Sequence, residues 1–231
     1  DNKIKVSSGT LGSVLSKECL KNNLSGFEFL IGFPGSFGGM IYMNASAHNQ
    51  SISDCFISAK VYDLKAKETK LFSKEDMHFN YRYSELQKGS YIVLEADFEL
   101  NKSDYETIKT TMDKNTEFRK TKQPSLKYGN AGSIFKNPPN DSAGRLLDLC
   151  GFKGQKQGGA MVFENHANFI INYDNANSND VISLMYKMYS KVQESYKIEL
   201  RPEIKYIGNK ETEEYKLWEL MATENIQMTQ K

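Results

Sequence analysis

The first hundred residues show two patterns of apolar and polar positions, one typical of β-strands and one typical of a helix. Residues 3–7 alternate as a β-strand does, and the apolar residues that follow fall on one stripe of a helix: Leu11, Val14, Leu15 and Cys19. Further on, polar turns separate β-branched and aromatic runs at residues 57–63, 69–73, 79–83 and 91–100. Such runs predict an antiparallel β-meander.

Two segments in this half interrupt the alternation. Residues 32–39 hold four glycines and one proline, which predicts a tight loop in place of a regular element. Residues 102–122 are highly charged, and their few larger or branched side chains are Thr110, Met112 and Phe118. We interpret this charged segment as an exposed helix that crosses to a second domain.

The second half contains more helical spacing than alternation. A first helix turns three apolar residues inward before Gly151, namely Leu146, Leu147 and Cys150. The clearest amphipathic helix carries Val181, Leu184, Met185, Met188 and Val192. Strands are predicted at residues 169–172 and, around Pro202, at residues 198–200 and 204–207. The remaining tail is polar, and a last helical turn is predicted to dock through Leu217, Trp218, Leu220 and Met221.

Composition and charge exclude several classes of protein. The 231 residues are 39% hydrophobic, which suits folded cores, and their net charge of +1 requires no strongly basic face, so nucleic acid is a poor default partner. The apolar runs are too short to span a bilayer, and no charged-then-apolar amino terminus indicates export. The three cysteines fit neither a disulfide framework nor a metal site. We therefore expect a cytoplasmic protein with reduced thiols and no metal.

Four blocks are too particular to be explained by packing alone: GFPGSFGGMIYMNA (32–45), YRYSE (81–85), GNAGSIFKNP (129–138) and RPEIKYIG (201–208). In this order they resemble UDP-N-acetylenolpyruvoylglucosamine reductase, the MurB family. Further matching pieces are AGRLLDLCGFKG (143–154), GGAMVFENHANFIIN (158–172) and NDVISLMYKMYSKV (179–192). The resemblance runs from about residue 5 to residue 208, and the blocks as a set are very specific.

The resemblance implies an α+β fold of two domains. Residues 1–121 resemble the second lobe of a PCMH/VAO-type FAD-binding domain, and residues 122–208 resemble the MurB-type C-terminal α/β substrate domain. We expect residues 209–231 to form a tail that packs back on the first domain. No segment matches the family's first FAD-binding lobe, and the absence of a long insertion between the YRYSE and GNAGS blocks is typical of the shorter subgroup without the tyrosine loop.

The resemblance also implies three catalytic residues. Arg82, predicted to lie in a strand, matches the arginine that holds the substrate carboxylate and stabilises the enolate, although the residues alone allow a simple pair with Glu85. Ser133 matches the general acid that delivers a proton to substrate C2, whereas a lone serine beside glycine is usually a turn residue. Glu203 matches the carboxylate that polarises the enolpyruvyl group. We predict that the two domains converge to bring these residues together.

Cofactor and substrate contacts follow from the same blocks. The loop that lies against FAD in the family corresponds to Gly35, Ser36, Gly38 and Gly39. Glycine amides in such a loop can cradle phosphate, but without the resemblance a structural turn is favoured. Lys122 matches a phosphate-binding lysine, and Asn137 matches a contact to the substrate's diphosphate or sugar. His166 either lies near the substrate, as in the family, or is a histidine satisfied by neighbouring backbone.

Two departures from the family bear on the cofactor. Family members usually continue MNA with Gly-Ala-Tyr-Gly, whereas here Ala45 is followed by Ser46-Ala47-His48-Asn49. The loop beside the flavin is therefore expected to differ in shape. The family's Gly-Gly-Ser-Asn loop, which grips the FAD diphosphate, has no match in this sequence, so we expect low FAD affinity.

The expected reaction is the reduction of UDP-N-acetylglucosamine enolpyruvate to UDP-N-acetylmuramate, with NADPH reducing FAD, in peptidoglycan synthesis and hence in cell-wall growth, shape and division. The expected partner is this small-molecule substrate, with no obligate protein partner, nucleic acid or membrane. One alternative is a UDP-sugar-binding fragment without catalysis. Another is a different flavoprotein of the same superfamily, which the match of Ser133, Asn137 and Glu203 disfavours.

Overall fold

The computed structural model describes residues 2–125 and 127–223, and the chain divides into two compact units. They comprise Asp1–Arg119 and Lys120–Lys231. The sequence predicted the division between residues 121 and 122.

The first unit is built on a four-stranded antiparallel sheet. Its strands are β1 (Lys3–Ser7), β2 (Leu24–Ser25), β3 (Ser46–Ala47), β4 (Gln50–Ser51), β5 (Phe56–Asp63), β6 (Glu68–Ser73), β7 (Tyr91–Glu99) and β8 (Asn101–Lys102). Its helices are α1 (Gly12–Lys21), α2 (Phe37–Tyr42), α3 (Ile52–Cys55) and α4 (Tyr105–Lys122). The sheet order is β1-β7-β5-β6, while β2 pairs with β8 and β3 with β4. The sheet is antiparallel as predicted, but β7 returns beside β5.

A cluster of phenylalanines forms the centre of this unit. Phe37 and Phe98 meet edge to face with ring centroids 5.1 Å apart, and Phe27 lies 5.6 Å from Phe37 and 5.3 Å from Phe98. All three side chains are fully buried. Each such aromatic pair adds about 0.5–1.5 kcal/mol beyond the burial of its area. Phe37 is the first residue of α2, so the cluster fixes where the glycine-rich segment lies on the sheet.

Helix α4 follows the predicted segment but buries a different stripe. Ile108, Met112 and Asn115 face inward at the spacing of one helical face. Of the predicted anchors, Met112 is buried, whereas Phe118 is 50% exposed. The ring of Phe118 meets the ring of His48 edge to face, at a centroid distance of 5.3 Å.

The second unit packs three helices with another antiparallel sheet. Its strands are β9 (Asn130–Ser133), β10 (Lys156–Gln157), β11 (Ala160–Val162) and β12 (Phe169–Asn172), in the order β10-β11-β12-β9. Its helices are α5 (Ala143–Leu149), α6 (Ser178–Tyr196) and α7 (Glu213–Ala222). Helix α6 begins at a reciprocal capping box between Asn177 and Asp180. Its inward stripe is the one predicted: Leu184, Met185, Met188 and Val192 are buried.

The tail differs from its prediction. The expected last turn is the ten-residue helix α7, which packs against α6. Met221 is fully buried in the core of the second unit, and Leu217 and Trp218 pack against that core. The apolar face of this helix is used within the second unit, and the packing of the tail on the first domain stays a prediction. Residues 224–231 of the predicted tail lie outside the described residues.

The predicted strands around Pro202 do not form. Residues 198–200 and 204–207 have no regular structure, and the segment is tied down by one isolated bridge between Phe135 and Pro202. Proline has no backbone N–H to donate, and the pairing with residues 134–136 consists of the two bonds made by Arg201 and Glu203 on either side of it.

Burial keeps two of the three thiols protonated. It raises the pKa of Cys19 to about 12 and that of Cys55 to about 11. All three cysteines are free thiols. Within residues 2–125 and 127–223, no group of three or more metal-binding side chains comes together. Over the same residues, every helix is too short or too polar to cross a bilayer.

Candidate functional site

Arg82 lies in a tight turn, not in the predicted strand. Asn80 and Tyr83 exchange both backbone hydrogen bonds, each 3.1 Å long, so that Tyr81 and Arg82 form the two-residue tip. Arg82 has a φ of +55°, in the left-handed region. A residue with a Cβ pays about 1–2 kcal/mol to adopt that conformation. Tyrosine and arginine favour strands locally, so the turn must be imposed by its surroundings.

Two side-chain amides hold this turn. Gln87 donates through Nε2 to the backbone oxygens of Arg82, at 3.0 Å, and of Tyr42, at 2.9 Å. Asn44, which is only 6% exposed, donates through Nδ2 to the Asn80 oxygen at 3.1 Å. Its Oδ1 accepts from the Ser53 amide at 3.1 Å. These contacts offset the strain and fix the direction in which Arg82 leaves the backbone.

The guanidinium of Arg82 is held by the segment that departs from the family. Its Nη1 donates to Ser46 Oγ at 2.7 Å, and its carbon lies 4.9 Å from the ring centre of Tyr81. Ser46 belongs to a two-residue hairpin in which His48 and Asn49 have φ values of +53° and +60°. These positive angles are typical of the type I′ turn that joins short antiparallel strands.

Glu85, the alternative partner of Arg82, is bound by other groups. Its carboxylate forms an ion pair with Lys88 at 3.1 Å and accepts from the Tyr83 hydroxyl, also at 3.1 Å. The hydrogen bond from Lys88 is the main cause that lowers the pKa of Glu85. This arrangement gives Glu85 a local role in the turn.

The glycine-rich segment is partly helical, which corrects the prediction of a loop over residues 32–39. Helix α2 begins at Phe37, with Ser36 in the N-cap position and Gly38 and Gly39 in its first turn. The amides of Phe37 and Gly38 donate to the backbone oxygens of Thr10 and Ser8, both at 2.8 Å. Those two N–H groups are therefore used within the fold and do not form part of a phosphate cradle.

A groove of about 380 Å³ runs beside this segment. It is lined by small residues with a few larger ones: Ser8, Gly9, Ser36, Gly38, Gly39, Tyr42, Tyr91, Ile92 and Val93. Three of the four predicted cofactor contacts lie on it, and Gly35, with a φ of +121°, supplies the bend before it. A Cβ at Gly38 would lie 2.9 Å from the Ser8 Cβ, so glycine allows the two segments to approach.

In the second unit the backbone brings Ser133 and Glu203 together. Ser133 ends β9, where it pairs with Phe169 of β12. The next residue, Ile134, accepts from the Glu203 amide at 2.8 Å, and the Lys136 amide donates to Arg201 at 2.8 Å. The segment 201–203 thus runs antiparallel to 134–136, and Glu203 lies beside the residue that follows Ser133. Two residues seventy positions apart in the sequence become neighbours through main-chain pairing.

The predicted substrate-binding residues of the second unit have local partners. Asn137 accepts through Oδ1 from the amide of Ala143, the first residue of α5, at 3.0 Å. His166 accepts through Nδ1 from the Asn168 amide at 3.2 Å and meets the ring of Phe169 at 4.8 Å. Desolvation by burial and the charge of Lys153 lower the pKa of His166, with a smaller contribution from Lys122. His166 thus uses Nδ1 for neighbouring backbone, as in the alternative of a histidine satisfied by backbone groups, and its contact with substrate stays a prediction.

Sequence reasoning assigned no role to three polar residues that hold the candidate groups. These are Asn44 and Gln87 in the first unit and Asn168 in the second. Each has an amide side chain, which can donate and accept at once. Asn44 and Asn168 lie inside the blocks MNA and HANF, so a search of those blocks for buried amides was the available signal.

Comparisons with known proteins identify the family. Residues 123–207 match the profile of the UDP-N-acetylenolpyruvoylglucosamine reductase C-terminal domain. The chain is 43% identical over 191 residues to UDP-N-acetylenolpyruvoylglucosamine reductase of Enterococcus faecalis, which covers 83% of this chain and 63% of that protein. It is 42% identical over 208 residues to the reductase of the same name of Clostridium botulinum, covering 90% of this chain and 67% of that protein.

A solved structure gives the same result. The crystal structure of UDP-N-acetylenolpyruvylglucosamine reductase from Thermus caldophilus superposes with a TM-score of 0.74 at 36% identity, covering 87% of this chain and 71% of that one. The chain spans 63% of the length of the Enterococcus faecalis relative. On the identity to these reductases and the shared fold, the chain belongs to the UDP-N-acetylenolpyruvoylglucosamine reductase (MurB) family.

Proposed function

We propose that this chain carries the substrate-reducing centre of a UDP-N-acetylenolpyruvoylglucosamine reductase. The reaction is the reduction of UDP-N-acetylglucosamine enolpyruvate to UDP-N-acetylmuramate with NADPH, in the cytoplasmic synthesis of peptidoglycan. The observation that carries the proposal is the pairing of segment 201–203 with segment 134–136, in which the Glu203 amide donates to Ile134, the residue after Ser133. Family membership, at 42–43% identity to named reductases, supports the same reaction.

In this proposal the protein's own groups place the proton and stabilise the charge. Ser133 delivers a proton to substrate C2, and because a hydroxyl is a weak acid its position must be closely controlled. Glu203 orients and polarises the enolpyruvyl group beside it. Arg82 binds the substrate carboxylate and stabilises the negative charge that develops next to it, which is often the largest catalytic contribution. The convergence of Arg82 with Ser133 and Glu203 is part of this proposal.

The groove beside α2 fits part of a bound FAD. A Cβ built at Gly9 would meet nothing within 4 Å, and one at Gly39 would meet only Ser36 Oγ, at 3.7 Å, so the groove is open in front of both residues. Ser36, Gly38 and Gly39 would hold the cofactor, with the hydroxyls of Ser8 and Ser36 as hydrogen-bonding groups. When bound, FAD would supply the hydride chemistry with NADPH as the reductant. Gly35 contributes through the bend that it allows.

Lys122, Asn137 and His166 complete the proposed substrate site. The positive charge of Lys122 contributes to lowering the pKa of His166, so the two side chains are close enough to interact electrostatically. A lysine there is suited to the substrate's diphosphate. The hydrogen bond that Asn137 Oδ1 accepts from the Ala143 amide fixes this side chain at the start of α5.

The proposal is tested by changing Ser133 to alanine in the full-length enzyme. Flavin reduction by NADPH should stay at the wild-type rate, while reoxidation by the enolpyruvyl substrate should fall by about 10²- to 10⁴-fold, the usual contribution of a positioned acid. Stopped-flow absorbance of the flavin separates the two half-reactions. Ser195→Ala, at an exposed position of α6, is the matched control and should change neither rate.

Two results would contradict this assignment. Undiminished reoxidation in Ser133→Ala would remove the serine from the proton-transfer step. A wild-type protein that binds the UDP-sugar but never undergoes flavin turnover would instead favour the binding-fragment alternative.

A further inference from the structure

The side chain of Asn168 makes the two hydrogen bonds that the backbone of a neighbouring strand residue would make. Its Oδ1 accepts from the Phe135 amide at 2.9 Å, and its Nδ2 donates to the Phe135 oxygen at 2.8 Å. Its own backbone oxygen accepts from the Ile134 amide at 2.9 Å. Asn168 is 3% exposed and Phe135 is 1% exposed, so water cannot replace these bonds without opening the core. One side chain therefore satisfies both main-chain groups of Phe135.

The geometry of the neighbouring pairing explains why Phe135 needs this partner. Successive residues of an extended chain point their main-chain groups to opposite sides. The Ile134 oxygen accepts from the Glu203 amide and the Lys136 amide donates to the Arg201 oxygen, so these two groups face segment 201–203. Phe135 lies opposite Pro202, which has no N–H, and its own groups point the other way. Asn168 is the residue that meets them.

The position of Phe135 decides the position of both candidate catalytic groups. Ser133 precedes it by two residues, and Glu203 is hydrogen-bonded to the residue between them. The segment 134–136 is thus a common support, held on one side by Asn168 and on the other by segment 201–203. A shift of Phe135 would move Ser133 along the chain and Glu203 through its hydrogen bond, with no change in either side chain.

We propose that Asn168 is a positioning residue that sets the spacing of Ser133 and Glu203. This inference rests on the proposed function, since it assigns the pair its role in protonation. The residue touches no reacting atom and acts only through the backbone of Phe135. A displacement of the order of 1 Å in such a support can reduce a rate by about 10²-fold.

Asn168→Asp in the full-length enzyme separates this role from a general contribution to folding. An ionised aspartate has no donor for the Phe135 oxygen and faces it with negative charge, whereas a protonated aspartic acid restores both bonds of the asparagine. Reoxidation of the reduced flavin by substrate should be about 10- to 100-fold slower than in the wild type at pH 8. The ratio to the wild type should return toward one as the pH falls and the carboxyl becomes protonated.

The matched control and the wild-type profile isolate this effect. Asn172→Asp makes the same change at an exposed position of β12, where the side chain only accepts from the Ala176 amide at 2.9 Å, and should follow the wild type throughout. His166, whose Nδ1 accepts from the Asn168 amide, titrates in the wild type as well, so the ratio to the wild type corrects for it. The rate of flavin reduction by NADPH should be unchanged in all these proteins.

Asn168→Ser provides a second test if the aspartate does not fold at high pH. The shorter hydroxyl side chain can make at most one of the two bonds, and reoxidation should slow while flavin reduction does not. Reoxidation within twofold of the wild type in folded Asn168→Asp at every pH, or an equal loss in both half-reactions, would overturn the positioning role. Ser133→Ala, measured in parallel, distinguishes the two proposals. If Ser133→Ala still turns over, the proposed function is wrong. If Ser133→Ala is inactive while the Asn168 variants are active, only the positioning role of Asn168 is wrong.

Discussion

Ser133 and Glu203 in the second unit are held in a different way from Arg82 in the first. The pair is placed by main-chain hydrogen bonds between segments 134–136 and 201–203. Arg82 is placed by side chains, since Gln87 holds its carbonyl, Asn44 holds the turn below it and Ser46 holds its guanidinium. Main-chain bonds form with almost any residue, whereas side-chain bonds depend on the identity of each one.

The difference has an energetic counterpart. Residues 134–136 and 201–203 need no unusual backbone angle, so their pairing stores no strain. Arg82 is held at a φ of +55°, which costs about 1–2 kcal/mol and persists only while its neighbours over-determine it. Single substitutions should therefore disturb the Arg82 turn more readily than the Ser133–Glu203 pairing, in which the Asn168 side chain has a comparable role.

Of the substitutions that test this comparison, Asn44→Ala is expected to have the largest effect on stability. The change removes the donor to the Asn80 oxygen and the acceptor for the Ser53 amide, both part-buried. Leaving such groups without partners should lower the free energy of unfolding by about 2–4 kcal/mol. Urea unfolding followed by circular dichroism measures this loss.

Asn23→Ala is the matched control for backbone strain. Asn23 has a φ of +57°, close to the +42° of Asn44, but its side chain is exposed. It should lose only about 1 kcal/mol, the cost of a left-handed alanine relative to asparagine. Equal losses in the two variants would mean that the Asn44 side chain does not hold the turn.

A smaller and more local effect is expected for Ser46→Ala. It removes the acceptor for Arg82 Nη1 but keeps the stacking of the guanidinium on Tyr81. One lost hydrogen bond should raise KM for the enolpyruvyl substrate by about 3- to 10-fold, and stability should change little. Steady-state kinetics of the full-length enzyme tests this, with Ser58→Ala on β5 as a control that should leave KM unchanged. An unaltered KM in Ser46→Ala would show that the guanidinium is oriented without this serine.

The sequence predicted those elements in which one periodicity dominates. Strands β5, β6 and β7 and helix α6 lie within a few residues of their predictions, because alternation or a helical stripe continues over their whole length, whereas α4 was predicted from its charge. Helix α2 was missed because glycines are poor helix formers, and what makes it helical is the burial of Phe37 among Phe27 and Phe98. Tertiary packing of this kind leaves no mark on local periodicity.

The candidate site was predicted only in part for a related reason. The resemblance identified Arg82, Ser133 and Glu203, but it did not predict the left-handed turn at Arg82. That turn depends on Asn44, which lies far from it in the sequence, and on Gln87, which follows it in no recognisable pattern. The failure of strands around Pro202 was foreseeable from its missing N–H. The bonds of Asn168 to Phe135 were not, because they join residues 33 apart.

The smallest expected effect concerns His166, which sits beside the backbone-held pair. Burial lowers its pKa below 6.5, so the folded state resists protonation while the unfolded chain takes up a proton as the pH falls through that value. The unfolding free energy contributed by this residue should therefore be fully present above the unfolded pKa and decrease below it. Urea unfolding at pH 7.5 and 5.5 should show a smaller decrease in His166→Gln than in the wild type. NMR titration of the ring should find a midpoint below 6.5, and a midpoint at or above that value would contradict the lowering of the pKa by burial.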